Sequence, residues 1–297
     1  MKVHRLSAYT IEQEPNKKNL NFTEYSKFKY GHKPTAIKFA ESMVAEFLKT
    51  FPLSYFAKEL DKIIVSTSPY WYTPPSAHAL SIYFHYMLNE LLLEAKNEPL
   101  TFLKIHRSSA PVCDFSKLTH EQRLENLKKD TLHFDPFMLK GKKLILIEDA
   151  RITGTHEKKI IDFMEKAGLE EIIFVYVVNI GFGAADPDIE NRINHKWVNN
   201  LDTLQLLMKN PEQFVLNSRL CRFILSWGNE QELKDFCKRL SDEMLFGLYI
   251  SSVNDGYGSV ELYSSGFDII RQETRIRHQQ LKKTDNPGIP SLNKNGK

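Results

Sequence analysis

Four consecutive apolar residues, Leu144-Ile145-Leu146-Ile147, run straight into two acids, Glu148 and Asp149, and then into Thr153-Gly154-Thr155 and a helical pattern. A short unbroken apolar run suits a strand covered on both faces, as inside a parallel sheet. The neighbouring segments alternate in the same style. Residues 34–50 repeat Ala36, Ile37, Ala40, Met43, Val44 and Phe47 at helical spacing. Ile63 to Thr67 is an apolar run that stops near Pro69, and residues 77–95 again read as helix. Leu100–Ile105 reads as a second strand and Ile172–Val178 as a fourth. Between the third and fourth strands, Ile160, Ile161, Met164 and Ala167 share a helix face that ends at Gly168. Strands alternating with helices from 63 to 178 imply an α/β domain with a mainly parallel sheet flanked by helices.

Around that domain the chain changes character. Residues 1–21 are charged, contain Pro15, and read as an irregular arm before an α/β domain at 22–199. Residues 200–281 form a mostly helical C-terminal region with periodic Leu and Phe, interrupted by a turn-rich stretch from Tyr249 to Gly266. The polar tail 282–297 reads as disordered. The long polar connection 106–142, with a charged helix expected at 119–129, reads as a functional flap or partly disordered loop.

Composition narrows the function classes. Hydrophobic residues at 42% and charged residues at 26% describe a soluble globular protein. A net charge of +3 is too small to argue for nucleic acid as a partner. Cys113, Cys221 and Cys237 lack metal or disulfide spacing and read as reduced thiols. A polar stretch from Met1 to Lys18 and the lack of a membrane-length apolar run point to the cytoplasm and away from a membrane.

The chemistry concentrates after Ile147. Ligands of an open parallel sheet bind outside the carboxyl ends of its strands. Glu148 and Asp149 emerge there, and Asp149 is expected to face solvent. Carboxylates accept hydrogen bonds from vicinal hydroxyls such as those of a ribose ring. Thr153-Gly154-Thr155 opens a helix, whose unpaired N–H groups and positive dipole end attract phosphate. Gly154 lets backbone approach that phosphate closely. Sugar acceptors one loop away from a phosphate cradle make a ribose-5-phosphate site. No Gly-Lys-Ser/Thr follows, so the loop is not a Walker motif, and the dinucleotide glycine spacing is missing.

Leu144 to Thr155 closely resembles the phosphoribosyl pyrophosphate (PRPP) signature of type I phosphoribosyltransferases: a hydrophobic strand, two acids, three variable positions and Thr-Gly-Thr. The resemblance implies that Glu148 and Asp149 hold the ribose hydroxyls and stand at the catalytic centre. Arg151, Ile152, Thr153, Gly154 and Thr155 would wrap the 5′-phosphate, and Mg²⁺ would accompany PRPP, bound mainly through ligand oxygens rather than protein ligands. It also implies a pyrophosphate loop after the first core strand, here Ser66 to Ser76 with Ser66, Thr67, Ser68 and Tyr70 as contacts. That loop departs from many members in having no glycine and no basic residue, and a rigid aromatic loop packed on a neighbour is the alternative reading. Lys104, His106 and Arg107 begin the stretch corresponding to the family's closing flap. Tyr25 to Gly31 resembles the start of the core in a stand-alone bacterial subgroup found with tellurite- and stress-resistance genes. The resemblance covers 22–180 and leaves a homodimer open.

Transfer of ribose 5-phosphate from PRPP to a nitrogenous base or related acceptor, with release of pyrophosphate, is the implied activity. Orotate, purines, uracil and a nonstandard base all stay open as the acceptor. The alternative is a regulator that binds PRPP or a nucleotide without turnover. A third reading makes 200–280 a partner-binding module.

Overall fold

The computed structural model describes residues 1–12, 20–56, 59–108, 132–133, 136–181 and 188–285. The strands are β1 (Lys2–Ile11), β2 (Ile63–Thr67), β3 (Thr101–Phe102), β4 (His106–Arg107), β5 (Leu132–His133), β6 (Lys143–Arg151) and β7 (Glu171–Ile180). β1-β7-β6-β2-β3 form one sheet whose pairings are all parallel, and β4 pairs with β5 antiparallel.

Period-two alternation divides the central strands between two cores. Ile63, Val65, Ile145, Ile147, Ile173 and Val175 join one buried cluster. It is covered by α1 (Phe22–Lys29), α2 (Lys33–Thr50) and α4 (Ser76–Glu94), with the short α3 (Leu53–Phe56) between the last two. Ile64, Leu144, Leu146, Ile172 and Phe174 face the other way, onto Ile160 and Met164 of α5 (Thr155–Lys166). Apolar residues therefore occupy both alternating sets, which is why these strands read as unbroken runs. Register is well defined, because a one-residue slip would exchange the two faces.

The rest is helical: α6 (Ile189–Asn194), α7 (Leu201–Met208), α8 (Ser218–Leu225), α9 (Glu230–Arg239), α10 (Asp242–Asn254) and α11 (Glu261–Asp285). α7 to α11 enclose a third core that includes Leu204, Leu220, Phe236 and Leu248, and Tyr30 from the junction after α1 is buried in it. Ser26 tightens that junction. Its hydroxyl donates to the Asn194 carbonyl at 2.6 Å and accepts from the Trp197 and Val198 amides at 3.1 Å each.

Four sequence expectations need correction. Residues 2–11 are an edge strand along β7, not an irregular arm. The 100–105 strand shrinks to Thr101–Phe102. The 249–266 stretch is turn-rich only between α10 and α11; its small residues serve close packing, and a Cβ on Gly266 would collide with the Leu225 carbonyl of α8. α11 continues to Asp285, past the expected start of the tail. Cys221 and Cys237 are free and buried, and burial pushes the Cys237 thiol up to about 12. Cys113, the 119–129 helix, residues 109–131 of the expected flap and residues 286–297 lie outside the described residues. No described helix is long and apolar enough to cross a membrane.

Gly31 fixes where the helical region meets the sheet. Its φ is +100°, and its carbonyl accepts from the Val215 amide at 2.8 Å. An added Cβ would strike the Val215 carbonyl oxygen and sit 3.0 Å from the Phe214 ring. Gly31→Ala is expected to destabilise the protein by roughly 1–3 kcal/mol through left-handed strain and loss of this contact. Chemical denaturation reads it directly, and a midpoint equal to wild type would contradict the close approach.

Candidate active site

A cavity of about 240 Å³ opens at the carboxyl end of the central strands, between the sheet and the helical region. Glu148, Asp149, Ile152, Thr153, Gly154 and Thr155 line its sheet side, with Ser68 and Tyr70 from the loop after β2. Lys29, Glu190, Ser218, Arg219, Arg222 and Asp255 also border it. β6 does not stop at Ile147. It continues through the acids to Arg151, with Glu148 opposite Tyr176 and Arg151 opposite Asn179 of β7.

Because the acids are successive strand residues, the pleat turns them to opposite faces. Glu148 points towards α5, where His156 Nε2 stands 3.5 Å from its Oε1. That Oε1 is buried and accepts no hydrogen bond. Asp149 turns towards α1 and α4, where it pairs with Lys29 Nζ and accepts from Ser76 Oγ at 2.9 Å. Asp149 is thus enclosed rather than facing solvent: its side chain is 18% exposed and that of Lys29 only 4%. Burial pushes the Asp149 carboxyl up. The Lys29 charge and hydrogen bond, Arg219 and the Ser76 hydroxyl more than offset it, and the group sits below its ordinary value.

Gly154 caps α5 with φ +74° and ψ 2°, the left-handed geometry reserved in practice for glycine. Thr153 and Thr155 share a hydroxyl contact of 2.9 Å beside it. Thr155, His156 and Glu157 of the first turn of α5 line the cavity, and the Thr155 amide donates to Thr153 Oγ1 at 3.4 Å. Arg151 is adjacent to this turn but is not among the residues lining the cavity. Its Nε donates to Glu157 Oε2 at 2.9 Å, and its guanidinium packs 3.2 Å from where a Gly154 Cβ would lie. Glu157 also accepts from Arg5 Nε and the Tyr176 hydroxyl, both at 2.8 Å. Burial raises the Glu157 carboxyl, and the bonds from Tyr176, Arg5 and Arg151 outweigh it, so the acid is held below its ordinary value.

The loop after β2 splits. Ser66 Oγ donates to the Leu103 carbonyl at 2.6 Å and Thr67 Oγ1 to the Ile147 carbonyl at 3.2 Å, so both hydroxyls serve the sheet instead of the cavity. Beyond Tyr70 the loop docks on the helical region. Trp71 Nε1 donates to the Asn254 carbonyl at 3.0 Å, and the Tyr72 and Thr73 amides both donate to Asp255 Oδ1 at 3.2 Å. This is the packed aromatic loop that the sequence allowed. Of the three flap residues, only Arg107 lines the cavity. Lys104 donates to the Trp71 carbonyl at 3.0 Å and stands 4.2 Å over the Tyr70 ring, and His106 is exposed on β4.

Sequence reasoning missed Lys29, Ser76, His156, Glu190, Arg219, Arg222 and Asp255. Lys29 lay inside the Tyr25–Gly31 segment, but nothing in a helical lysine announces a buried ion pair. Arg219 and Arg222 carried one readable signal, the i,i+3 spacing that puts two cations on one helix face.

Comparison with known proteins finds the following similarities. Amidophosphoribosyltransferase of Saccharomyces cerevisiae is 27% identical over 125 residues, 40% of this chain and 22% of that protein. The chain thus spans about a fifth of the length of that curated relative. A solved hypoxanthine phosphoribosyltransferase of Staphylococcus aureus aligns over 50% of this chain and 65% of its own, with 13% identity and a TM-score of 0.28. The model of a family described as PRTase ComF-like matches residues 3–270, from the first strand well into the last helix and so across both walls of the cavity. The chain belongs to that PRTase ComF-like family, within the type I phosphoribosyltransferases.

Proposed function

We propose that the protein binds PRPP with Mg²⁺ and transfers its phosphoribosyl group to a nitrogen nucleophile, releasing pyrophosphate. One observation carries the reading: the acidic pair of β6 and the left-handed Gly154 at the start of α5 border a single cavity, in the order of the family motif. Asp149, held ionised by Lys29, accepts from one ribose hydroxyl. Glu148 offers a buried carboxylate oxygen with no hydrogen bond of its own to another hydroxyl, or to a cation carried by the donor. The α5 start binds the 5′-phosphate. A C1–N bond forms as the C1–O bond to pyrophosphate breaks, and the nucleophile gives up its proton. The sugar passes through an oxocarbenium-like state, for which the protein supplies position and fixed charge. Mg²⁺, when bound, would neutralise charge on the leaving group, with Glu148 the carboxylate placed to hold it.

Binding without turnover is the second reading. The loop whose amides at Tyr72 and Thr73 are already held by Asp255 favours it. Calorimetry with PRPP and Mg²⁺, repeated with EDTA, tests the shared part. Pyrophosphate release with orotate, purines and uracil separates the two. The expected result is heat that depends on Mg²⁺, and no heat at millimolar PRPP would overturn both readings. Heat with no pyrophosphate release from any base would favour the binder.

A further inference from the structure

We propose that Arg222, on α8, pairs with the pyrophosphate of the donor, so that the C-terminal helical region supplies the cation the loop after β2 lacks. The inference rests on the PRPP reading above. It begins with a deficit. No lysine or arginine occurs between Ser66 and Ser76, and two of the loop's amides are taken by Asp255. A pyrophosphate seated against Ser68 and Tyr70 would therefore draw no cation from the loop itself, whose charged neighbours are Lys104, over the Tyr70 ring, and Arg107 on the cavity lining.

α8 also lines the cavity, and it presents Arg219 and Arg222 on one face. Their situations differ. Arg219 lies 3.7 Å from Glu190. Arg222 lines the same cavity, yet its Nε and Nη1 are buried and meet no hydrogen-bond acceptor. Buried donors are ordinarily paired, and a guanidinium left unpaired is costly. The planar guanidinium directs five N–H donors along its edges, which suits the oxygens of a phosphate group. An oxyanion entering the cavity would meet that need.

An acidic acceptor among the described residues competes. Asp255 Oδ2 is also buried without a hydrogen bond. Its other oxygen is anchored by Tyr72 and Thr73, so an Arg222–Asp255 pair would be a structural clasp between helix and loop. The two roles differ in what a mutation disturbs.

The experiment titrates full-length wild type, Arg222→Gln and Arg222→Lys with PRPP, inorganic pyrophosphate and ribose 5-phosphate, each with Mg²⁺, and records the melting temperature of each protein. Arg222→Gln is expected to weaken PRPP and pyrophosphate about ten- to a hundredfold, the range for losing a charged hydrogen-bonding partner. Ribose 5-phosphate should bind as in wild type, and melting should hold. Arg222→Lys keeps the charge, loses the planar guanidinium and should fall between. It also serves as the folded probe should the glutamine variant misfold. Pyrophosphate and PRPP binding unchanged in both variants would overturn the proposal, and a lowered melting temperature alongside would assign Arg222 to Asp255. If only the acceptor's KM rises while PRPP and pyrophosphate bind normally, the guanidinium serves the acceptor and the proposal is likewise wrong. Failure of wild type to bind ribose 5-phosphate or PRPP at all would remove the underlying PRPP reading as well.

Discussion

Asp149→Asn is expected to lower stability by about 3 kcal/mol, the lower end for breaking a buried ion pair, because the amide oxygen can still accept a bond from Lys29. The cost arises at the lysine. Lys29 Nζ is almost wholly enclosed, and neutralising its partner leaves a desolvated charge without a counter-ion. Ribose binding should weaken at the same time, about ten- to a hundredfold for a lost charged hydrogen bond. The two effects separate in a double mutant. Lys29→Met with Asp149→Asn removes both charges and should recover much of the stability, while ligand binding stays impaired. Denaturation of the four proteins, with PRPP titrations on each, makes the comparison. A double mutant as unstable as the sum of its singles would show that the pair does not act as a unit.

The same pair sets an acid limit. A carboxyl whose folded value is depressed contributes its stabilisation above the unfolded value of about 3.9 and loses it as pH falls through the folded value. The stability gap between wild type and Asp149→Asn should thus be level from neutral pH down to about 5 and close below about 4. A gap undiminished in strong acid would contradict it.

Gly154→Val is expected to abolish binding of the 5′-phosphate, with losses of roughly a hundredfold or more for ribose 5-phosphate and PRPP alike. Left-handed backbone at φ +74° is a true outlier for a β-branched residue and costs on the order of 1–3 kcal/mol. If the loop relaxes to escape that strain, the first amides of α5 turn away together and several bonds to phosphate lengthen at once. If it does not relax, the new side chain presses on the Arg151 guanidinium, which is tied to Glu157. Thr153→Ala is the measure of scale. It removes one hydroxyl, worth about 0.5–1.5 kcal/mol, and leaves the backbone alone. Inorganic pyrophosphate should bind nearly normally to both variants. Ribose 5-phosphate binding Gly154→Val as tightly as wild type would mean that the phosphate is held elsewhere.

What the sequence made legible follows from how local each signal is. β2, β6 and β7 are buried on both faces, so their apolar runs stand out without knowledge of any partner. The turn from β6 into α5 was legible for a similar reason: its strand, acids, glycine and helix start lie within a dozen residues. β1 is half-covered at the sheet edge, and Lys2, His4 and Arg5 mask its alternation, so a true strand looked like an arm. Arg222 and Asp255 reach the cavity only because Gly31, Ser26 and Asn217 dock the helical region beside α1. No spacing rule links residues so far apart in the chain. Asp149 was misjudged because the reading placed it on a solvated loop, whereas strand pairing carries β6 two residues beyond it.

The parallel pairing of β1 with β7 has a consequence for synthesis. Lys2 is made well before its register partner Glu171, so β1 must wait for the whole stretch between them to be made. Until then the β7–β6–β2 layer cannot exist, and the nascent N-terminal strand carries unmatched amides and carbonyls. Its charges, which hid it from sequence inspection, suit that interval, since lysine and arginine discourage stray strand addition. Long-separation pairing of this kind also slows folding, because loop closure precedes the contacts that compensate for it. Joining the strand is thus a late event of biogenesis.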